Sequence, residues 1–202
     1  MQVTSIKAQR HLNDRYSIYV DGKYAFSLSA DSLLGEKITL GQQLTSDDLE
    51  NLKSLAEADK AYLNALRFLA IRSRSRWEME QYLKRKKLDK LQSQNILNKL
   101  SELKLLDDYA FAKRWVEGRR TLKPISRRRL IQELRAKRLD NETIEAALNE
   151  DDTDELDVLR QLVSKKMALS RYKADPLKLK QYLSRQGYSY EDIKSVMNSG
   201  ND

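Results

Sequence analysis

The 202-residue chain has no cysteine, one histidine, two prolines and six glycines. Without cysteine there is neither a disulfide nor a thiolate metal site. The one histidine, His11, stands in a polar stretch after a strand-like run, where it reads as a surface residue and not as a general base. So few glycines leave little material for phosphate-cradling loops. The chain has no Walker-type loop, no GxGxxG and no His/Cys/Asp cluster with metal-ligand spacing. No apolar run approaches the ~20 residues that span a bilayer, and no signal-peptide pattern opens the chain. These absences argue against an enzyme, a cofactor, a metal or a membrane protein. They point to a soluble cytoplasmic protein.

Charge, by contrast, is abundant. Charged residues make up 34% of the chain and the hydrophobic set 40%, a surface-rich balance that suits an elongated molecule with several small cores. The formal net charge of +8 is unevenly placed. Residues 1–58 carry 6 Lys/Arg against 8 Asp/Glu, residues 59–140 carry 23 against 10, and residues 141–202 carry 9 against 12. A one-signed block in the middle of a chain attracts polyanions, whereas a merely solubilising surface mixes its signs.

A segment occurs three times. Ser75-Arg-Trp-Glu-Met-Glu-Gln-Tyr-Leu83, Ser126-Arg-Arg-Arg-Leu-Ile-Gln-Glu-Leu134 and Asp175-Pro-Leu-Lys-Leu-Lys-Gln-Tyr-Leu183 align without a gap, at offsets of 51 and 49 residues. Each copy opens with an N-cap residue type, places an apolar residue four positions on (Met79, Leu130, Leu179) and a leucine four beyond that. A period near 50 predicts stacked copies of one helical unit. Such arrays present long surfaces that suit extended partners.

The periodicities predict a mainly α protein. Three tandem three-helix repeats form an elongated, curved array after a small β-rich module. The module covers residues 1–45. Asp21-Gly22 lies between Arg15-Tyr-Ser-Ile-Tyr-Val20 and Lys23-Tyr-Ala-Phe-Ser-Leu28, a type I′ hairpin signal. Val3 to Ala8 reads as a third strand, Ser29 to Leu34 as a helical turn or two, and Lys37 to Leu40 as a short fourth strand. Residues 46–58 form a connecting helix capped by Thr45 or Ser46, with a break near Asp59. The repeats then occupy 59–106, 107–150 and 151–202, each with helices A, B and C. Helix A of the third repeat is expected from about Asp154 to Arg171. Pro124 separates A from B in the second repeat, Pro176 suits a first helical position, and Gly187 a left-handed C-cap.

Two features invite a chemical reading. Asp107-Asp108 could be paired carboxylates, but helix capping is favoured. Arg127, Arg128 and Arg129 crowd the first turn of a B helix, where cations oppose the helix dipole at about 0.3–1 kcal/mol each. A bound anion would offset that cost; solvated, salt-screened arginines are the alternative. Trp115, with Phe111 four residues earlier, reads as core. Trp77 divides between core and a partly exposed stacking or anchoring residue.

Ser73-Arg-Ser-Arg-Trp-Glu-Met-Glu-Gln-Tyr-Leu-Lys-Arg-Lys-Lys87 is similar to the first B-helix region of the RecX family. Leu105-Leu-Asp-Asp-Tyr-Ala-Phe-Ala-Lys-Arg-Trp-Val-Glu-Gly-Arg-Arg120 resembles that family's Leu-Asp-Asp-x-x-Phe-Ala opening of the second repeat. Ile125 to Leu139 and Leu183 to Ile193 fit its later repeats. The resemblance covers residues 59–198, and the N-terminal module looks like the extension of longer members. One departure is Lys84-Arg-Lys-Lys87, which runs into Leu88 without the glycine that many members place there. The resemblance implies a monomeric regulator of DNA repair and recombination that binds the recombinase RecA and its DNA filament, with weak nonspecific DNA contacts and no cofactor. Its common effect there is inhibition of ATPase, strand exchange and coprotease activity. The basic residues expected at that interface are Arg74, Arg76, Lys84, Arg85, Lys86, Lys87, Lys113, Arg114, Arg119, Arg120, Lys123, Arg127, Arg128, Arg129 and Arg135. The rival reading is a helical protein that binds DNA or RNA nonspecifically and without RecA.

Overall fold

A computed structural model of the chain describes residues 1–9 and 14–198; His11 lies outside them. The residues fall into two compact units. One comprises 1–73 and 79–105, and the other 74–78 together with the chain from Leu106 onward.

The first unit opens with β1 (Val3–Ala8), β2 (Arg15–Val20) and β3 (Lys23–Ser29), antiparallel in the order β1-β2-β3. The two-residue Asp21-Gly22 turn has φ of 49° and 77°, the left-handed pair that a type I′ hairpin requires. Asp21 Oδ1 accepts from the Gln2 N–H at 2.8 Å, and Thr4 Oγ1 from the Gly22 N–H at 2.9 Å. Alternation buries Ile18, Val20, Phe26 and Leu28 on one face. The short strand expected over Lys37 to Leu40 does not form. Lys37 turns the chain at φ 51°, Ile38 drops into the core, and only an isolated Gln2–Gln43 bridge follows.

After α1 (Ala30–Gly35) comes α2 (Ser46–Ile71), with Thr45 and Asp48 in a reciprocal capping box. The break expected near Asp59 is absent, and α2 runs unbroken for 26 residues. Asp59 does not cap a second helix because its carboxylate is spent on the sheet and on α1. It accepts from the Ser29 N–H (2.9 Å), Ser29 Oγ (2.6 Å), Ser32 Oγ (2.9 Å) and Arg15 Nη1 (3.0 Å). The Arg15 and Asp59 side chains are only 6% and 7% exposed, so breaking one member would strand the other's charge. Leu52 and Ala56 of α2 complete the core under the sheet.

Helices α3 (Arg76–Lys84) and α4 (Lys90–Glu102) follow. The second unit takes the first turn of α3 and adds α5 (Asp108–Leu122), α6 (Arg127–Ala136) and α7 (Asn141–Asn149). It continues with α8 (Glu155–Met167), α9 (Ser170–Lys173), α10 (Pro176–Arg185) and α11 (Tyr190–Asn198). The long helix expected over 154–171 is interrupted after Met167. The short α9 carries Tyr172 into the core, where its ring lies 5.8 Å from that of Tyr182.

Helices α3, α6 and α10 are the repeated B helices. Met79, Leu130 and Leu179, then Leu83, Leu134 and Leu183, are all fully buried. Ser75, Ser126 and Asp175 each accept the N–H three residues on, from Glu78, Arg129 and Lys178. Twelve residues after each cap the chain takes the left-handed conformation, at Lys87 (φ 59°), Arg138 (61°) and Gly187 (94°). The missing glycine therefore changes the residue but not the turn. A side chain in that conformation costs roughly 1–2 kcal/mol, against the greater unfolded-state freedom of glycine. Lys87→Gly is expected to raise stability by up to about 1 kcal/mol, read as a higher urea midpoint at unchanged m-value. A lower midpoint would mean that the Lys87 side chain stabilises the turn.

Candidate protein and nucleic-acid interface

The start of each B helix in the second unit is completed from inside the chain. Arg76 and Arg127 are the first residues of α3 and α6, and their N–H groups lack an intrahelical acceptor. The Arg76 N–H donates to Asp108 Oδ1 at 2.7 Å, and the Arg127 N–H donates to Glu155 Oε2 at 3.0 Å. Asp108 and Glu155 are the first residues of α5 and α8, so one carboxylate position does the same work twice. A second contact also recurs. Ser75 Oγ donates to the Lys137 carbonyl at 3.0 Å, and the Ser126 N–H donates to the Gln186 carbonyl at 3.1 Å. Lys137 and Gln186 sit at the same place after their own caps. The N-terminal end of one B helix thus meets the C-terminal end of the next.

At the start of α6, where the sequence suggests a bound anion, the Arg127 N–H meets an internal carboxylate, Glu155. The Arg127 guanidinium turns inward to the end of α7, where it donates to the Leu148 carbonyl at 2.8 Å and to Asn149 Oδ1 at 3.3 Å. Asp107 caps α5 through the Ala110 N–H, and Asp108 caps α3, so the two carboxylates serve helix ends. Burial pushes the Asp108 carboxyl above its usual range, against the lowering by the Arg76 N–H and charge.

Several other basic residues are tied down in the same unit. Arg120, its side chain 10% exposed, pairs with Asp151 at 2.7 Å and donates to the Ile125 carbonyl at 2.8 Å. Burial raises the Asp151 carboxyl, but bonds from Thr153 and Arg120 outweigh it and hold the group below its usual range. Arg119 donates to Glu133 at 2.7 Å and lies 4.8 Å from the Trp115 ring centroid. Trp115 is half-buried against the core and donates its indole N–H to the same Glu133 carboxylate at 2.9 Å. Lys137 reaches over the other members of this group, 5.2 Å from the Trp115 centroid and 2.7 Å from Glu78. Lys113 pairs with Glu150 at 2.6 Å. Arg74, Arg76 and Trp77 are half-buried at the start of α3.

What remains open to solvent is narrower than the sequence list. On α6, Arg128, Arg129, Gln132 and Arg135 are exposed. Arg129 leans on Glu133 at 3.8 Å, and Arg135 donates to Asn141 Oδ1 at 3.1 Å. Arg114 and Lys123 are exposed nearby in sequence. In the first unit Lys84, Arg85, Lys86 and Lys87 are all exposed at the end of α3, with Lys86 over the Tyr82 ring at 5.3 Å.

Sequence reasoning missed Glu133, Asp151 and Glu155, the acids that hold the arginines. Only Glu155 carried a usable signal, since it begins a helix A as Asp108 does. A test of the capping role follows from its charge. The folded pKa of Asp108 exceeds the unfolded value, so between the two the folded state binds more protons. This group's contribution to stability therefore falls as pH rises through that window. Asp108→Asn keeps an acceptor for the Arg76 N–H and removes the buried charge. It is expected to hold or raise stability at neutral pH, with the advantage shrinking toward about pH 4. Asp108→Ala leaves the N–H unpaired and should cost about 1–3 kcal/mol. Urea unfolding at both pH values checks this, and equal losses for Asn and Ala would refute the cap.

Three family models match the chain. They are the regulatory protein RecX N-terminal domain over residues 1–45, the RecX first three-helix domain over 61–100, and the RecX second three-helix domain over 107–148. Regulatory protein RecX of Bacillus subtilis (strain 168) is 32% identical over 200 residues, covering 96% of this chain and 75% of that protein. The protein of the same name from Halalkalibacterium halodurans is 31% identical, covering 91% and 71%. A crystal structure of regulatory protein RecX matches with a TM-score of 0.75 at 25% identity, covering 98% of both chains. That of RecX from Lactobacillus salivarius matches with 0.59 at 27%, covering 71% of this chain and 96% of that one. Among the described residues no helix is long and apolar enough to cross a membrane.

Proposed function

The chain belongs to the RecX family of regulatory proteins, and on that premise we propose that it binds the RecA filament on DNA and lowers its ATPase, strand-exchange and coprotease activities. The observation that carries the reading to particular residues is the open basic face of α6. Arg128 and Arg135 stand seven residues apart, two helical turns on one side, and both point to solvent. Their neighbours Arg119, Arg120 and Arg127 are held by internal acceptors. A face of this kind steers and orients a polyanionic partner more than it adds raw affinity. Lys84 to Lys87 supply a second basic group in the first unit. The protein acts as a monomer in the cytoplasm in this reading and performs no chemistry of its own.

The experiment is RecA ATPase on single-stranded DNA with the protein titrated in. Inhibition is expected. Inhibition well below one protein per RecA means that filament extension is blocked, and inhibition that needs stoichiometric protein means occupancy along the filament. An unchanged or raised rate overturns the inhibitory reading. Unchanged ATPase with tight binding to bare DNA or RNA would favour the rival, a nucleic-acid binder independent of RecA. Binding to bare single-stranded DNA is expected to be weak and indifferent to sequence. Its log–log salt slope should be about −0.7 per phosphate neutralised.

A further inference from the structure

In the first unit, β3 is an edge strand whose second side is not covered by another strand. Among the described residues no backbone group of residues 23–28 bonds to backbone outside β2, although the Ser27 carbonyl accepts from Arg15 Nη2 at 2.8 Å. Native proteins blunt such edges or use them. Here the edge opens onto a crevice of about 470 Å³ between β3 and α2. Tyr24, 59% exposed, stands on its β3 wall. A bulge at Ala25, which has no partner opposite between Tyr24 and Phe26, breaks the ladder there and re-aims the neighbouring side chains.

The α2 wall is charged. Lys53, Lys60 and Arg67 line it, each seven residues from the next and all exposed. Residues at that spacing share one helix face. None of the three has an ion-pair partner among the described residues; Arg67 makes one contact, with Asn64 Oδ1 at 3.5 Å. Glu57 is the one acid that lines the crevice. From Lys53 to Arg67 the helix rises about 21 Å, the length of roughly six residues of extended chain.

We propose that this crevice docks an extended, acidic segment of a protein partner, laid along the open edge of β3 with its carboxylates toward Lys53, Lys60 and Arg67. Main-chain bonds to a sheet edge give such segments affinity, and the flanking side chains give them specificity. Charge argues against a second copy of this chain, because β3-to-β3 pairing would bring two rows of cations together. A nucleic-acid backbone fits less well. Phosphate accepts hydrogen bonds but donates none, so it could not pair with the carbonyls that the edge leaves open.

The test needs only the purified protein, so it stands or falls apart from the RecA proposal. The probe is a labelled peptide of alternating glutamate and valine about eight residues long. A lysine–valine peptide and an oligo-dT of equal charge serve as comparisons. Binding is read by anisotropy, and the site by NMR shifts and amide exchange of residues 23–28. The acidic peptide is expected to bind at least about tenfold tighter than either comparison and to protect those amides. Lys53→Glu/Lys60→Glu is expected to weaken it by about tenfold or more with an unchanged circular dichroism spectrum and unfolding midpoint. Absence of saturable binding, or protection confined to other residues, overturns the proposal. Equal or tighter oligo-dT binding at the same residues would make the crevice a nucleic-acid groove instead. Self-association that the double variant abolishes would make it a dimer surface.

Discussion

Gly187→Ala is expected to destabilise the second unit by about 2–5 kcal/mol, the sum of left-handed strain and overpacking in a tight contact. Gly187 ends α10 at φ 94°. A Cβ there would lie 2.4 Å from Ser126 Oγ and 2.9 Å from Arg129 Cβ. Neither neighbour is free to yield. Ser126 is fully buried and caps α6 through the Arg129 N–H, and its own N–H is fixed on the Gln186 carbonyl. Arg129 Cβ is carried by the backbone of that same first turn. Relief must therefore move one helix end against another, which close packing resists. Thermal and urea unfolding measure the loss. Adding Ser126→Ala should recover only part of it, because it removes one of the two clashes and also the cap, worth about 1 kcal/mol. A loss below about 1 kcal/mol for the single variant would mean that the junction is soft.

Tyr188, the next residue, shows that the junction is not perfectly satisfied. Its ring is 4% exposed, and its hydroxyl has no hydrogen-bond partner among the described residues. Burial, with Glu155 close by, pushes its phenol up to about 12. The same position holds Leu139 in the second repeat and Leu88 in the first, so an apolar residue suffices for the repeat itself. The hydroxyl is an addition peculiar to the third repeat, and nothing in the structure explains it.

The repeat was legible in the sequence because a B helix leaves a strong trace: a cap, an apolar residue four positions on, and a leucine four beyond. Those positions point straight into a core, so their chemistry is dictated locally. The hairpin was legible for a similar reason, since Asp21-Gly22 suits one turn type. What stayed hidden depends on groups far apart in the chain. Asp59 looked like a helix breaker because its partners Arg15, Ser29 and Ser32 come from three other elements, β2, β3 and α1. Glu155, which accepts the Arg127 N–H, lies 28 residues away. Composition could show a basic middle segment but could not sort its arginines. Arg119, Arg120, Arg127 and Arg128 share a residue type, and only the fold decides which of them meets an internal acid.

The repeated junction also gives Pro176 a physical role beyond a favourable first position. In α3 and α6 the first residue offers an N–H, and a carboxylate from a later helix accepts it. In α10 that residue is proline, which has no N–H to offer. Asp175 alone completes that helix start, through the Lys178 N–H and the Lys178 ammonium. The start of the third B helix is therefore satisfied by its own cap, without a carboxylate from a later helix.

Sorting the arginines turns the proposed function into a separable test. Arg128→Glu/Arg135→Glu is expected to leave stability nearly unchanged, because the two dipole effects, about 0.3–1 kcal/mol each, have opposite signs at the two ends of α6. Filament affinity should nevertheless fall by about 10- to 100-fold, since attraction becomes repulsion on the face proposed to meet the partner. Arg127→Glu should behave in the opposite sense. It removes the donors to the Leu148 carbonyl and Asn149, and it places a second acid where Glu155 already sits. Unfolding is expected at a cost of about 3 kcal/mol or more, with any loss of binding following from that. The control is Lys165→Glu/Arg171→Glu, an equal charge change at exposed positions of the third repeat, whose residues carry 9 Lys/Arg against 9 Asp/Glu. Stability and filament affinity should be measured for all three at low and moderate salt. Equal affinity losses in the α6 and third-repeat variants would mean that only overall charge counts, and the α6 face would have to be abandoned. An α6 variant that binds normally would abandon it as well. Selective loss that shrinks with added salt is the result the geometry requires, because exposed charges act within a Debye length of about 10 Å at 0.1 M salt.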